Sequence, residues 1–460
     1  MIRWSSSCEC NEQRIETTTL TKQLLLTGGL DTSSAIASGY STTDFFMNIT
    51  ILTYGSRGDV QPFLPLSIGL MNRGHKVTLA APARFKNLIE EYKINFIPLA
   101  GDPEDLSRKL NDAGYNFIKQ ISELMSHAVE IGADIFRQTE IASQDADLII
   151  HTFAHAVGAH TLAREKNIPD IHIQTFPMFT PTGDYPNVTM PNFRNRFLNH
   201  LSHTLSARIT FITAKIGFEQ VRRKAGLPKR KLFFPFDETP LRSSTPILCA
   251  WSPTFLPPSS DFAPRVHVTG YYFFPLNESY SSPPELDSFL KNGKPPICIS
   301  FGSMVNKDAK RIDEIVRKSL MQTNNRGIIL SGWGSVKHES TDDLLYIESA
   351  PHDWLLPKCK MVIHHGGAGT TSAGLRAGIP NIVVPFTADQ PFWGNNVYKI
   401  GAGPKPILVK HLSVERLVNA IVGAESDVVR KQAQVVGQKI RSEDGVGEAI
   451  RWIESYGLGA

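Results

Sequence analysis

The sequence predicts an α/β protein built from two Rossmann-like, doubly wound domains that face each other across a cleft. Three observations carry this. A chain of 460 residues is too long for one ordinary core and suits two units of about two hundred residues each. From Met47 an apolar strand, a Gly-rich turn, a helix and a second strand follow in order, the start of a parallel sheet. The same alternation restarts at Pro296 after a proline-rich stretch.

Residues 1–46 are set apart as an N-terminal extension expected to be disordered, because they are rich in Ser and Thr and hold neither helical nor strand periodicity. Asn48 to Tyr54 reads as a strand, Gly55-Ser56-Arg57-Gly58-Asp59 as a turn, Pro62 to Asn72 as a helix and Lys76 to Ala81 as a strand. Strands at Asn95 to Leu99, Asp147 to Thr152 and Asp170 to Phe176 complete a first domain of residues 47–235. The many prolines of 236–295 resist long helices and mark an interdomain connection, with short strands at Ile247 to Trp251 and Val266 to Thr269 inside it. The second domain, 296–440, reads as a strand to Phe301, a helix to Gln322, strands at Gly327 to Trp333, Leu344 to Glu348 and Met361 to His364, a helix from Gly369 and a strand from Asn381. A last helix in 441–460 is expected to fold back at the junction, and ligands of such sheets sit at the carboxyl ends of the strands.

Composition excludes several classes. The 48 Lys plus Arg nearly balance the 44 Asp plus Glu, a net charge of +4, so the chain does not read as a nucleic-acid binder. Cys8, Cys10, Cys249, Cys298 and Cys359 form neither a disulfide framework nor a zinc spacing, which fits a reducing cytosol. No run of eighteen apolar residues exists.

The strongest local signal is Val362-Ile363-His364-His365-Gly366-Gly367-Ala368-Gly369-Thr370-Thr371. A strand end, a Gly-rich turn and a helix start together present unpaired N–H groups and a positive dipole end to an anion. Gly366 and Gly369 allow close backbone approach, and Thr370 and an imidazole add side-chain donors. Helix entry with Thr capping explains the turn, but not the two histidines before it, so a diphosphate site is favoured. About twenty residues on, Asp389-Gln390-Pro391 again follows a strand. A carboxylate beside a carboxamide can bind vicinal sugar hydroxyls, while Asp389 as a helix cap is a sound local alternative.

These segments, with Ser300-Phe301-Gly302-Ser303, Pro351-His352-Asp353-Trp354-Leu355 and Gly55 to Pro62, resemble the sterol glucosyltransferases and, more broadly, the bacterial macrolide and glycopeptide glycosyltransferases. The resemblance runs from about Met47 to the C-terminus. It implies a GT-B fold, a UDP-sugar donor that is a substrate rather than a cofactor, glucose as its hexose, and inversion at the anomeric carbon. It places Ser303 on the β-phosphate, His364 on the pyrophosphate, Gly366, Gly369 and Thr370 on the phosphates, and Asp389 and Gln390 on the glucosyl hydroxyls. Which of His364 and His365 reaches phosphate stays open, because the turn begins there. Trp333 is the candidate to stack on uracil. Asp59 takes the role of base toward the acceptor hydroxyl, with helix capping as its alternative reading. No metal is needed in this scheme.

On the acceptor side, Phe193 to Lys231 carries ten Lys or Arg against the single acid Glu219, with Phe193, Phe197, Leu201, Leu205, Ile209, Ile212 and Ile216 at helical spacing. Such a stripe ordinarily packs on its own core. The sharper reading of this basic helix, 193–231, is an acceptor wall that rests on anionic lipid, a peripheral membrane contact of a cytoplasmic protein. His151, Phe153 and His155 at a strand end are expected to line the acceptor pocket. The expected partners are a UDP-sugar and a hydrophobic acceptor such as a sterol. A nucleotide-sugar epimerase or hydrolase and a non-catalytic binding protein remain alternatives on the same fold.

Overall fold

A computed structural model describes residues 46–106, 109, 117–188, 190, 193–227, 229–234, 236, 245–274, 280–301, 309–330 and 339–459. The expectations for the N-terminal extension before Phe46, and for Ser303 and Trp333, fall outside these residues.

The first lobe is a seven-stranded parallel sheet in the order β3-β2-β1-β4-β5-β6-β7. In chain order its elements are β1 (Asn48–Leu52), α1 (Arg57–Val60), α2 (Phe63–Asn72), β2 (Lys76–Pro82), α3 (Lys86–Glu90), β3 (Asn95–Leu99), α4 (Phe117–Ala142), β4 (Leu148–His151), α5 (Ala156–Lys166), β5 (Asp170–Gln174), α6 (Arg196–Lys224), β6 (Ile247–Cys249) and β7 (Val266–Val268). Strands buried on both faces read as continuous apolar runs, which is why β1 and β4 are recognisable without alternation.

After α7 (Pro284–Lys291), the second lobe is a five-stranded parallel sheet, β10-β9-β8-β11-β12. It comprises β8 (Ile297–Ser300), α8 (Ala309–Gln322), β9 (Gly327–Leu330), β10 (Leu344–Ile347), α9 (His352–Leu355), β11 (Met361–His364), α10 (Ala368–Ala377), β12 (Asn381–Val383), α11 (Gln390–Lys399), α12 (Val414–Ala424) and α13 (Asp427–Arg441). Then α14 (Gly445–Gly459) lies on α2 of the first lobe. Its Ala449 and Ile453 are fully buried in the core that holds Ile49, Leu64 and Leu79. Glu454 on α14 pairs with Arg73 at 3.0 Å and stands 3.2 Å from His75.

Two expectations need correction. The connection set at 236–295 contains β6 and β7, which are the outer strands of the first sheet, so that lobe runs on to Val268. The remaining segment packs Trp251 and Phe255 against Trp393 of α11 in a core shared by both lobes. The apolar row of the basic segment does not pack inward either: Phe197, Leu201, Leu205, Ile209, Ile212 and Ile216 all face outward from the single helix α6.

Candidate active site

The carboxyl ends of both sheets meet at the cleft. From the first lobe, Thr53 follows β1 and Gly55 turns the chain at φ +147°, where a Cβ would stand 2.3 Å from Asp59 Oδ2. Asp59 is the third residue of α1, in a capping box with Ser56. Its Oδ2 accepts the Ser56 N–H at 2.7 Å and the Ser56 hydroxyl at 2.9 Å. Burial raises the Asp59 carboxyl above its ordinary pKa, against these two bonds, which lower it. The cap and the raised pKa coexist, because one oxygen anchors the group while the cleft desolvates it.

From the second lobe, β11 ends at His364, and His365 follows at the turn. His364 is fully buried: its Nδ1 accepts the Gly366 N–H at 3.1 Å, and its Nε2 lies 3.1 Å from Asn381 Oδ1, so it is the neutral tautomer with its proton on Nε2. Burial pushes its pKa down to about 3. Both nitrogens are engaged inside the protein, which contradicts a contact from His364 to pyrophosphate. The Gly366 N–H is likewise engaged, and at φ +92° a Cβ there would meet Val383 at 2.6 Å. Gly366 therefore shapes the turn and is not itself a phosphate donor. His365 is only part-buried and its ring lies over Gly367, where an ideal Cβ would be 2.4 Å from its Nε2. Its buried Nδ1 has no hydrogen bond, and burial lowers its pKa to about 4, with the Ser300 carbonyl opposing.

Helix α10 begins at this turn with no side-chain cap, and Gly369 on its first turn faces open space. The first N–H groups of α10 have no intrahelical partner, so they present a positive end to an anion. Thr370 is buried on the same turn. His352, at the start of α9, places Nε2 3.4 Å from Ser300 Oγ; burial, then the charge of Arg57 from the opposite lobe, lowers its pKa to about 4. Sequence reasoning left the choice between His364 and His365 open, and it missed Arg57 and His352. Arg57 lies in the same Gly-Ser-Arg-Gly-Asp turn as Asp59, which was the available signal.

Ala388 adopts φ +56° just before Asp389, a strained conformation of the kind that collects at functional sites. Asp389 Oδ2 accepts the Trp393 indole N–H at 2.7 Å. Burial pushes its pKa up to about 6, with the charge of Asp59 adding to the rise and Trp393 opposing it. The two carboxylates thus sense each other across the cleft. Gln390 is buried, and its Oε1 accepts the N–H groups of Phe386 at 2.8 Å and Thr387 at 3.2 Å, so its carbonyl oxygen holds the loop.

The acceptor-side expectations divide. His151 is fully buried, 2.8 Å from Asp170 and 3.3 Å from His172, with His160 also on Asp170 at 3.0 Å. Burial alone would raise the Asp170 carboxyl, but the hydrogen bonds from His151 and His160 hold it well below the usual range. His151 is therefore part of a polar core network and not of a pocket wall. Phe153 is 40% exposed and stacks on Phe179 at 5.8 Å. His155 is buried beside Tyr54 with neither ring nitrogen hydrogen-bonded, and burial lowers its pKa to about 4.

Among the described residues, no group of three or more His, Cys, Asp or Glu could hold a metal ion, and no helix is long and apolar enough to cross a membrane.

Known proteins resemble this chain in sequence and in fold. The glycosyltransferase family 28 N-terminal domain matches residues 49–184, and the erythromycin biosynthesis protein CIII-like C-terminal domain matches 338–445. Two sterol 3-beta-glucosyltransferases of Arabidopsis thaliana are 34% identical over 424 and 417 residues, covering 88% of this chain and 65% and 67% of theirs. The chain belongs to the sterol 3-beta-glucosyltransferase family. It spans about two thirds of those plant relatives and 33% of a Pichia angusta sterol 3-beta-glucosyltransferase to which it is 33% identical. The GT-B fold is shared with the kitacinnamycin glycotransferase (TM-score 0.66, 18% identity, 90% of this chain and 99% of that one). It is shared as well with the calicheamicin glycosyltransferase (TM-score 0.64, 16% identity, 89% and 98%).

Proposed function

We propose that this member of the family is an inverting glycosyltransferase that moves glucose from UDP-glucose to the hydroxyl of a hydrophobic acceptor such as a sterol. The observation that carries the reading is the pair Asp59 and Asp389, one from each lobe, each desolvated and electrostatically coupled beside an open helix N-terminus.

In this reading the diphosphate rests on the first N–H groups of α10, with Thr370 and His365 as side-chain donors and the Arg57 guanidinium facing it from the other lobe. Ser303 keeps the β-phosphate role that the resemblance implies, and Trp333 remains the candidate to stack on uracil. Asp389 accepts from sugar hydroxyls, and its bond from Trp393 fixes its orientation. The acceptor oxygen attacks the anomeric carbon as its proton passes to Asp59, and the bond from that carbon to the phosphate oxygen breaks, so configuration inverts. UDP leaves with its charge stabilised by the helix end. Phe153, Phe179 and the buried edge of His155 form the apolar side that receives the acceptor. Because such an acceptor resides in lipid, the reading includes peripheral membrane contact through the basic segment 193–231.

Asp59→Asn should lower turnover about a hundredfold or more while leaving UDP affinity unchanged, as measured by mass-spectrometric product formation and calorimetry. Wild-type turnover in that variant would remove Asp59 from the reaction. Incubation with UDP-glucose and no acceptor should yield neither epimer nor appreciable free glucose.

A further inference from the structure

Helix α6 is inside out. Its buried residues are Asn199, Ser202, His203, Ser206, Ala207, Gly217 and Val221, small or polar apart from the valine. They serve the loop beneath: Asn199 Nδ2 donates to the Gly183 carbonyl at 3.0 Å, Ser202 Oγ accepts the Asn187 N–H at 2.9 Å, and His203 Nε2 lies 3.1 Å from the Tyr185 carbonyl. The helix is thereby locked in this rotation. Its outer face carries Phe197, Leu201, Leu205, Ile209, Ile212 and Ile216, with exposures of 73% for Phe197, 51% for Leu205 and 55% for Ile212. At about 100° per residue these six fall within an arc of roughly 120°, in a row about 28 Å long, opposite the buried set. A surface helix of a monomeric soluble protein has the reverse polarity.

Charge decides what covers this row. Lys215, Arg223 and Lys224 are exposed on the C-terminal half of the helix, and Lys229 and Lys231 are exposed just beyond it, while Glu219 is the only acid on α6. The same face of a second copy would meet these cations with Glu219 as the single acid of its α6. An anionic bilayer offers both an acyl boundary and negative headgroups.

We propose that the outer face of α6 is a docking surface for an anionic lipid bilayer, with the helix lying in the membrane plane, its apolar row in the acyl boundary and its cationic end on the headgroups. This deepens the lipid-contact part of the functional reading and rests on it only for the acceptor. A chain of aromatic contacts leads from the helix toward the cleft: Phe211 to Phe234 at 5.0 Å, Phe234 to Phe236 at 5.7 Å, Phe236 to Phe179 at 4.3 Å and Phe179 to Phe153 at 5.8 Å. The docked helix is thus tied through packed aromatic core to the carboxyl end of β4, where Phe153 is exposed.

The test is cosedimentation of the full chain with vesicles of phosphatidylcholine alone and of phosphatidylcholine with phosphatidylserine. The wild-type chain should pellet with the mixed vesicles, less with the neutral ones, and less again as salt rises. Leu205→Ser with Ile212→Ser should lower vesicle affinity about tenfold or more, with melting temperature and UDP affinity unchanged. Lys215→Gln with Lys224→Gln should remove most of the phosphatidylserine dependence. The proposal is overturned if the wild-type chain stays in the supernatant, if the Leu205/Ile212 variant binds like wild type, or if light scattering shows a wild-type dimer that this variant dissolves. Turnover of a detergent-dispersed sterol separates the two readings. Both proteins should glucosylate it equally, and a failure of both counts against the glycosyltransferase assignment while the vesicle result still decides the docking surface.

Discussion

At the residue scale, His364 at the end of β11 and His365 just after it are a test of side-chain direction. His365→Ala should weaken UDP binding about tenfold or more in calorimetry with little change in melting temperature, because its part-exposed ring lies over Gly367 at the turn. His364→Leu should do the reverse: it orphans the Gly366 N–H and lowers stability by about 1–3 kcal/mol in a denaturant melt. The raised Asp59 carboxyl places the acid limb of kcat/KM above the ordinary carboxyl range. Ser56→Ala removes a bond that favours the charged form, so a pH profile of that variant should show the limb moved to higher pH. For Asp389, a folded pKa of about 6 against an ordinary 3.8 means that the protonated form is favoured by folding. Its stabilising contribution is complete below the unfolded pKa and is lost as pH rises through about 6. Asp389→Asn, which still accepts from Trp393, should therefore be more stable than wild type by about 1–2 kcal/mol at pH 7.5 and gain nothing near pH 4, while losing turnover.

At the element scale, the sequence made the long parallel strands and the strand–turn–helix units legible, because strands buried on both faces are unbroken apolar runs. The rest was hidden for physical reasons. Strands β6 and β7 have only three residues each among prolines, and they count as strands through their neighbours in the sheet. The pair His364 and His365 lies where alternation ends and the turn begins, so the strand pattern does not decide which ring faces out. His151 looked like a pocket residue because it ends β4, yet Asp170 on the adjacent strand draws it inward. The apolar row of α6 was visible as a period, but a period does not say which face is covered. Element packing also yields a prediction for α14: a Cβ on Gly69 of α2 would come within 2.7 Å of Ile450, so Gly69→Val should wedge the two helices apart and cost about 1–3 kcal/mol in thermal or denaturant melts.

At the scale of the whole molecule, several contacts among the described residues join the lobes. The α14 helix inserts into the core of the first lobe, Trp251 and Phe255 pack on Trp393, and Phe392 meets Tyr185 at 5.4 Å. The last two hold the helix that begins at Gln390, so the spacing of Asp59 and Asp389 follows from packing at the junction. The account stands on that spacing and on the helix end beside it. A crystal structure with UDP-glucose and a non-reacting acceptor analogue measures both at once. It should show the diphosphate on the N–H groups of residues 367–370 beside His365, the hexose at Asp389 and the acceptor oxygen within hydrogen-bond reach of Asp59. A diphosphate bound away from α10, or an Asp59 carboxylate turned out of the cleft, would contradict the account.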